Sequence, residues 1–377
     1  MLHVYLYIIN YWRKYELLFH FCYNFFLGGT ADITVHHRQD DDTLEEVVPA
    51  SGGPWGGITI DAAYLKFLEM LFSKEVIEIF KNGDLYDYTE LIQQFEVKKR
   101  SITSEQDTDV VITMPMGLLE IIKSKLGGVE KAIKRSKYKL DVSFLQSQKL
   151  SVKPEIFRNF FKPTIDALIT HVDQLLKDAK LVDLRNIIMV GAFSECKLVI
   201  DAVKREFSRM LITIPPDAGL AVLKGAVLFG HQPKKITKRV LKKTYGIQSW
   251  PEWNSDIHPE RKRVLIDGSE RCKDVFFRFA HRGEKVEAGH SVSQVFEALK
   301  PDEKTLECTV YVTDDTNPKY VTDVGCKSLG NLIVPLPLLR LGETLEIEET
   351  MIFGGTEILF RARNLKTGAI YETRFEF

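Results

Sequence analysis

The spacing of apolar residues changes near Pro233, and this change constrains the fold more than any other feature of the chain. Before Pro233, short apolar runs alternate with longer segments of three-to-four-residue spacing, an arrangement typical of a sheet covered by helices. After it, strand-sized segments alternate with glycine and proline turns. The sequence therefore predicts an α/β domain over 28–232, followed by a β-rich, sandwich-like domain over 240–377.

Individual elements of the first domain are predicted from the spacing of their apolar residues and from the residues at their ends. Thr30–His36 alternates apolar and polar residues, which favours a half-buried strand. Asn186–Gly191 is an apolar run that suits a fully buried strand. Pro154–Lys177 carries an apolar stripe at helical spacing, and proline is tolerated at its first position. Between these elements, 76–148 is predicted to be a largely helical insertion.

Composition argues against several classes of partner and site. The formal net charge is -1, so the whole chain favours neither nucleic acid nor an anionic membrane. Five cysteines are scattered without CxxC spacing, which argues against a disulfide framework or a zinc site. A reducing compartment fits this usage, and we expect a cytoplasmic protein.

The first 27 residues are unusually rich in aromatic and aliphatic side chains. Arg13, Lys14 and Glu16 interrupt them, leaving two apolar runs too short to span a bilayer. We expect 1–27 to be an atypical segment that stands in place of a preceding lobe and packs poorly against the rest. A membrane anchor is the alternative interpretation.

Two charged clusters favour structural interpretations over binding ones. Lys234–Lys243 (KKITKRVLKK) could contact nucleic acid or acidic lipid, but no aromatic stacking platform is interleaved with it. We expect a solvated linker that runs into an edge strand. Asp40, Asp41 and Asp42 are expected to form a solvated hairpin tip rather than a metal site.

Three glycine-bearing turns carry the chemistry that the first domain offers. They are Gly28-Gly29-Thr30, the cluster Gly52–Gly57 and the turn at Gly191. Glycine lets backbone N–H groups approach a phosphate closely. Thr30 adds a hydroxyl donor, and Asp32 is placed to hold a metal-bound water. Each turn alone is weak evidence, because glycine turns are common.

Taken in order, these motifs resemble the second half of the nucleotide-binding domain of the 70-kDa heat-shock protein and actin superfamily. Gly28–Asp32 resembles the second phosphate loop of this family, and Gly52–Gly57 resembles the glycine turn that follows it. Phe95–Thr103 resembles the adenosine-contacting helix, and Ile188–Gly191 resembles the adenosine loop. Pro216–Ala226 resembles the closing helix. The GGPWGG cluster, the FEVKKRS run and the TYG after the basic stretch resemble the divergent heat shock 70 kDa protein 12 group.

The resemblance implies lobe II of an actin-like (ribonuclease H-like) ATPase domain, with Asp217 at the start of its closing helix, where it can cap that helix. It also implies ATP or ADP as the cofactor, with Mg²⁺ accompanying the nucleotide, and a chaperone-like or stress-related role with client or signalling proteins as partners. The residues implied to bind the cofactor are Gly28, Gly29, Thr30, Asp32, Gly56, Gly57, Glu96, Lys99, Thr103, Gly191, Ala192 and Asp217.

The chain departs from the family pattern at several of these positions. Phe25 and Leu27 stand where the family has a carboxylate and a glycine, Ala192 replaces a second glycine, and Glu195 lies near the place of a basic side chain. The family's first lobe, with its phosphate loop and catalytic lysine, has no counterpart before Gly28.

We therefore expect a half-site that binds nucleotide weakly, with no catalytic residue and little hydrolysis. Two alternatives stay open. One is a non-enzymatic interaction module whose glycine turns are only structural, and the other is an active ATPase. Glu96 and Lys99 likewise have a plain interpretation as an i, i+3 salt bridge on a helix face.

Overall fold

The computed structural model describes residues 20–26, 29–146, 148–266, 268–297, 304–337, 345–355 and 357–376, with the backbone alone for 20–26 and 233. The described residues form a mixed α/β structure, as the sequence predicts. The α-helices are α1 (Gly57–Phe72), α2 (Lys74–Lys81), α3 (Leu85–Ser101), α4 (Met116–Leu126), α5 (Val129–Arg135), α6 (Pro154–Leu175), α7 (Lys197–Glu206) and α8 (Ala221–His231).

Strands occur throughout, and from Ile236 onward they dominate the described chain. They are β1 (His20–Phe26), β2 (Ala31–Arg38), β3 (Leu44–Gly53), β4 (Val110–Thr113), β5 (Val142–Leu145), β6 (Lys149–Val152), β7 (Asn186–Val190), β8 (Leu211–Thr213), β9 (Ile236–Val240), β10 (Thr244–Ser249), β11 (Arg263–Ile266), β12 (Ser269–Cys272), β13 (Val275–Ala280), β14 (Lys285–Glu287), β15 (Ser291–Glu297), β16 (Thr305–Thr313), β17 (Lys327–Pro335), β18 (Glu346–Ile352), β19 (Glu357–Asn364) and β20 (Ile370–Glu376).

Contacts divide the chain into two compact units. Unit 1 holds the described residues up to Val35 together with 51–231, and unit 2 holds 36–50 together with the described residues from Gln232 onward. The far end of the β2–β3 hairpin thus groups with the C-terminal strands, which the sequence did not predict. The division into domains over 28–232 and 240–377 stays a prediction.

One sheet contains strands in the order β3-β2-β1-β7-β8, of which β1, β7, β8, the start of β2 and the end of β3 belong to unit 1. β1, β7 and β8 run parallel, with Phe25 paired to Val190 and Ile188 paired to Thr213. The expectation that 1–27 packs poorly stays a prediction, although the backbone of residues 20–26 forms a hydrogen-bonded strand between β2 and β7. Aromatic residues favour strands, so the composition of this segment suits that place. Residues 1–19 lie outside the described residues.

Aromatic rings bind the helices of unit 1 to one another. Tyr64 of α1 stacks on Phe95 of α3 with ring centroids 3.9 Å apart, and Phe160 of α6 lies within 5.5 Å of the Phe67 ring. The Thr59 and Thr164 hydroxyls also hydrogen-bond at 2.8 Å. Each ring interaction adds about 1 kcal/mol to the free energy that burial provides. α1 is therefore held firmly on α3 and α6.

In unit 2, the described residues form a four-stranded sheet β13-β10-β16-β17, a second one β15-β18-β19-β20, and a pair β11-β12. The basic stretch does not form the solvated linker that the sequence predicts. β9 pairs with β3 at Leu44–Ile236 and with β14 at Val240–Lys285. The alternation of Ile236 and Val240, both buried, suits a paired strand. Glu45 forms an ion pair with Lys238 at 2.5 Å, which offsets part of the positive charge of the basic stretch.

Candidate functional site

The glycine turns of unit 1 lie at one edge of its sheet. β1, β7 and β8 are parallel neighbours, so their carboxyl ends meet at the same edge. β2 begins at that edge and β3 ends there. The turns around Gly29, Gly56, Gly191 and Asp217 follow or precede these strand ends. Ligands of α/β sheets commonly bind outside the carboxyl ends of parallel strands. Gly28 lies outside the described residues.

Two of these turns touch through a glycine that the site prediction omitted. Gly52 has φ +150°, and a Cβ added there would lie 2.1 Å from the carbonyl oxygen of Ala31. No side chain fits that gap. At Gly29, an added Cβ would lie 3.3 Å from Cδ1 of Ile58, in the first turn of α1. The turn at Gly29 and Thr30, together with the start of β2, therefore lies directly against both β3 and the start of α1.

The start of α1 has backbone N–H groups that no side chain caps. Gly56 is the N-cap residue and Gly57 the first helical residue, both are buried, and no side chain caps this end. The first N–H groups of a helix lack intrahelical partners and favour an anion. Nearby, the Thr30 hydroxyl donates to the Asp32 carboxylate at 3.2 Å. Thr30 is exposed and Asp32 half-buried, so both reach solvent.

The loops that follow β7 and β8 are joined by hydrogen bonds. Gly191, at φ +91°, donates its N–H to the Ala218 carbonyl at 2.8 Å. Its own carbonyl accepts the Ser194 hydroxyl at 2.6 Å. The Glu195 carboxylate accepts the Gly219 N–H at 3.0 Å. These bonds hold the loop in one conformation and leave Ala192 exposed.

Asp217 lies in this loop but does not cap the closing helix as predicted. It occupies the N-cap position of the 3₁₀ turn Ala218–Leu220 in a left-handed conformation, without a capping hydrogen bond from its side chain. Its carboxylate instead pairs with Lys224 at 2.8 Å. The left-handed backbone turns the side chain toward the following helix, so it reaches a side chain rather than an N–H group.

Glu96 and Lys99 form the predicted i, i+3 salt bridge, at 2.5 Å. Lys99 is only 5% exposed, and its ammonium also lies 2.6 Å from Asp61 on α1. Burial raises the pKa of Glu96, but hydrogen bonds from Lys99 and Arg100 outweigh it and hold that pKa below its usual value. The Lys99 ammonium is thus occupied by protein carboxylates, whereas Glu96 stays half-exposed.

The end of α3 lies against the loop that follows β7. The Cys196 thiol contacts the Lys99 carbonyl at 3.7 Å, and Ser104 donates to Asp201 of α7 at 2.9 Å. Thr103, half-buried, lies two residues after the end of α3, and its carbonyl accepts a hydrogen bond from Arg158 at 3.4 Å. The predicted residues of α3 are therefore brought close to those of the β7 loop.

Sequence reasoning missed a cluster beside the second glycine turn. The Ser51 hydroxyl and the Nε2 atom of His171 are 3.0 Å apart, and the Trp55 ring centroid lies 4.9 Å from that of His171. Burial lowers the pKa of His171. Ser51 and His171 are 120 residues apart in sequence, and no spacing signal connects them.

Within the described ranges, no group of three or more His, Cys, Asp or Glu residues is placed to hold a metal ion. Nor does any described helix reach the length and apolarity that crossing a membrane requires. Cys196, Cys272, Cys308 and Cys326 are free thiols, and the first three are buried.

Comparison with known proteins identifies the relatives of the chain. No family model matches it. It is 32% identical to heat shock 70 kDa protein 12A of Mus musculus over 358 residues, which is 93% of the chain and 53% of that protein. The human 12A protein matches at 32% and the human 12B protein at 29%, with the same shares covered. The chain is thus a relative of heat shock 70 kDa proteins 12A and 12B, and it spans about half the length of the curated relatives it matches.

Proposed function

We propose that the sheet edge of unit 1 binds an adenine nucleotide, ATP or ADP, weakly and with negligible hydrolysis. One observation carries the proposal. The glycine turns that resemble the phosphate and adenosine loops, far apart in sequence, lie at the ends of neighbouring strands on one sheet edge. A chance set of structural turns would be spread over both edges of the sheet.

The phosphate end of the site would be built from the first two glycine turns. Gly28, Gly29 and the uncapped start of α1 at Gly56 and Gly57 would offer N–H groups to phosphate oxygens. Thr30 would donate its hydroxyl. Asp32 would hold a water of a Mg²⁺ ion that accompanies the phosphates, which suits a half-buried carboxylate.

The nucleoside end would be built from α3 and the joined loops. Ala192 is exposed beside the backbone of Gly191, where an adenosine could rest. Glu96, Thr103 and Asp217 would supply the polar contacts. Lys99 would contribute its carbon stem, because its ammonium is held by Asp61 and Glu96.

Hydrolysis needs more than this edge supplies. Transfer of a phosphoryl group depends on cationic groups that neutralise the developing charge. The residues proposed for the phosphate end carry no basic side chain. Binding without turnover fits a chaperone-like or stress-related cytoplasmic protein that contacts client or signalling proteins.

Calorimetric titration with ADP and ATP, together with a phosphate-release assay, tests the proposal. We expect affinity in the high-micromolar range or weaker and no measurable turnover. Ala192→Trp should abolish binding, because the indole would fill the space beside the β7 loop. Ala179→Trp is a matched control, since Ala179 is also exposed and also opens a short 3₁₀ helix.

The two alternatives give different results. A folded protein that shows no heat with either nucleotide would favour an interaction module with structural glycine turns. Turnover that Asp32→Ala abolishes would favour an active ATPase and overturn the proposal of a non-hydrolysing half-site.

A further inference from the structure

Unit 2 contains a cavity of about 580 Å³ between its sheets. Its apolar lining comes from β10, β11, β13, β15 and β16 and from the residues just after β10, including Ile247, Trp250, Phe277, Phe296 and Leu306. This volume is within the range of small-molecule sites, which are mostly apolar with a few placed polar groups. The cavity shares no residue with the nucleotide site proposed above.

A buried carboxylate lies in the wall of this cavity. Glu349 of β18 is 4% exposed and lies on the same strand face as the core residues Ile347 and Met351. No described group hydrogen-bonds its Oε2 atom. Burial raises the pKa of Glu349 to about 7, against a smaller opposing effect of the Cys308 thiol. A core position normally holds an apolar residue, so this carboxylate costs stability unless it meets a partner.

The other charged groups of the lining leave an excess of negative charge. Arg271 lies 3.9 Å from Glu297, and this pair is electrically balanced. Glu307 accepts a hydrogen bond from the neutral Asn331 amide at 2.6 Å. Among the described lining residues, Glu307 and Glu349 therefore have no cationic counterpart.

We propose that this cavity binds an organic cation, a protonated amine or guanidinium group on an apolar stem. The stem would pack among Trp250, Phe277 and Phe296, whose ring faces also attract a cation. The charged head would donate to the Glu349 Oε2 atom, which no described group hydrogen-bonds. The proposal does not depend on nucleotide binding in unit 1.

Calorimetric titration of the full chain with 4-phenylbutylamine and with 4-phenylbutanol tests the charge requirement. We expect the amine to bind at least roughly tenfold more tightly, because hydrogen bonds to buried charged groups have effects of this size. Glu349→Gln should remove that preference. Glu348→Gln, on the opposite face of the same strand, should leave it unchanged.

Further measurements identify the site and the source of the ligand. Leu306→Trp should fill the cavity and weaken both probes, which places binding here even if Glu349→Gln alters folding. A free amine and a lysine side chain in an extended peptide share this chemistry. A short acetylated peptide with one central lysine, compared with its norleucine analogue, separates these two sources. Equal affinity for amine and alcohol, or a preference that survives Glu349→Gln, would overturn the proposal.

Discussion

Two buried charged residues of this chain are accommodated in opposite ways. Lys99 is surrounded by two carboxylates within 2.6 Å, so its burial is compensated. Glu349 lies in the core of unit 2 with an oxygen that no described group hydrogen-bonds. A compensated charge holds elements together, whereas an uncompensated one lowers stability and marks a place where a ligand would gain affinity.

Lys99→Met should lower the free energy of unfolding by about 2 kcal/mol, because Asp61 and Glu96 would then repel each other without the ammonium between them. Urea denaturation measures this change. Arg100→Met is the control, since Arg100 forms an exposed pair with the same Glu96, and such pairs contribute under about 1 kcal/mol. Equal effects of both variants would show that Lys99 is not a structural bridge.

Glu349 should make unit 2 less stable as the pH rises. Its pKa is about 7 in the folded state and 4.5 ordinarily, so between these values the folded state binds more protons than the unfolded one. Stability therefore falls as pH rises from 4.5 to 7, by about 3 kcal/mol in total. Glu349→Gln should remove this component.

Urea midpoints at pH 5 and pH 8 measure the effect, with the wild-type chain compared with the variant. The comparison is needed because His36 is also buried, and burial lowers its pKa, which gives a pH dependence of opposite sign. A variant whose midpoint falls between pH 5 and pH 8 as much as the wild type's would contradict the prediction.

At the scale of elements, the end of β3 depends on one glycine. The sequence shows a cluster of glycines over Gly52–Gly57 but does not indicate which of them is sterically required. The packing of β2 on β3 singles out Gly52, because the Ala31 carbonyl occupies the space of a side chain. The first two glycine turns of the candidate site keep their positions only while no side chain is placed between Gly52 and the Ala31 carbonyl.

Gly52→Ala should destabilise unit 1 by about 3 kcal/mol, since a backbone atom rather than a flexible side chain must move. Thermal unfolding measures the loss. Gly128→Ala is a matched control with φ +116° and no atom within 4 Å of the added Cβ, so it reports backbone strain alone. We expect about 1 kcal/mol there. A Gly52 variant no worse than this control would show that the strands can separate.

At the scale of the whole molecule, the chain crosses from one unit to the other more than once. Residues 36–50 leave unit 1, join unit 2 and return. Within unit 2, Leu44 pairs with Ile236, and the Val240 N–H donates to the Glu46 carboxylate at 3.0 Å. The C-terminal strands therefore rely on a hairpin that precedes them by almost 200 residues.

Limited trypsin digestion should cut first after Lys234, which is exposed in the short 3₁₀ helix Pro233–Lys235. Bonds after Lys238 and Arg239 should be spared, because β9 is paired on both sides and proteases need locally unfolded backbone. Mass spectrometry of early fragments gives the result, with urea-unfolded protein as the control. Early cleavage after Lys238 would restore the interpretation of this stretch as a solvated linker.

The sequence by itself determined the mixed α/β composition, the buried strand at Asn186, the amphipathic helix from Pro154 and the relationship to heat shock 70 kDa proteins 12A and 12B. These follow from local periodicity and motif order, which neighbouring residues encode. Only the tertiary structure placed 20–26 within the sheet, grouped 36–50 with unit 2, joined Lys99 to Asp61 and buried Glu349 beside a cavity. The physical reason is that hydrogen-bond partners, ion pairs and steric gaps join residues distant in sequence, and no local pattern records them.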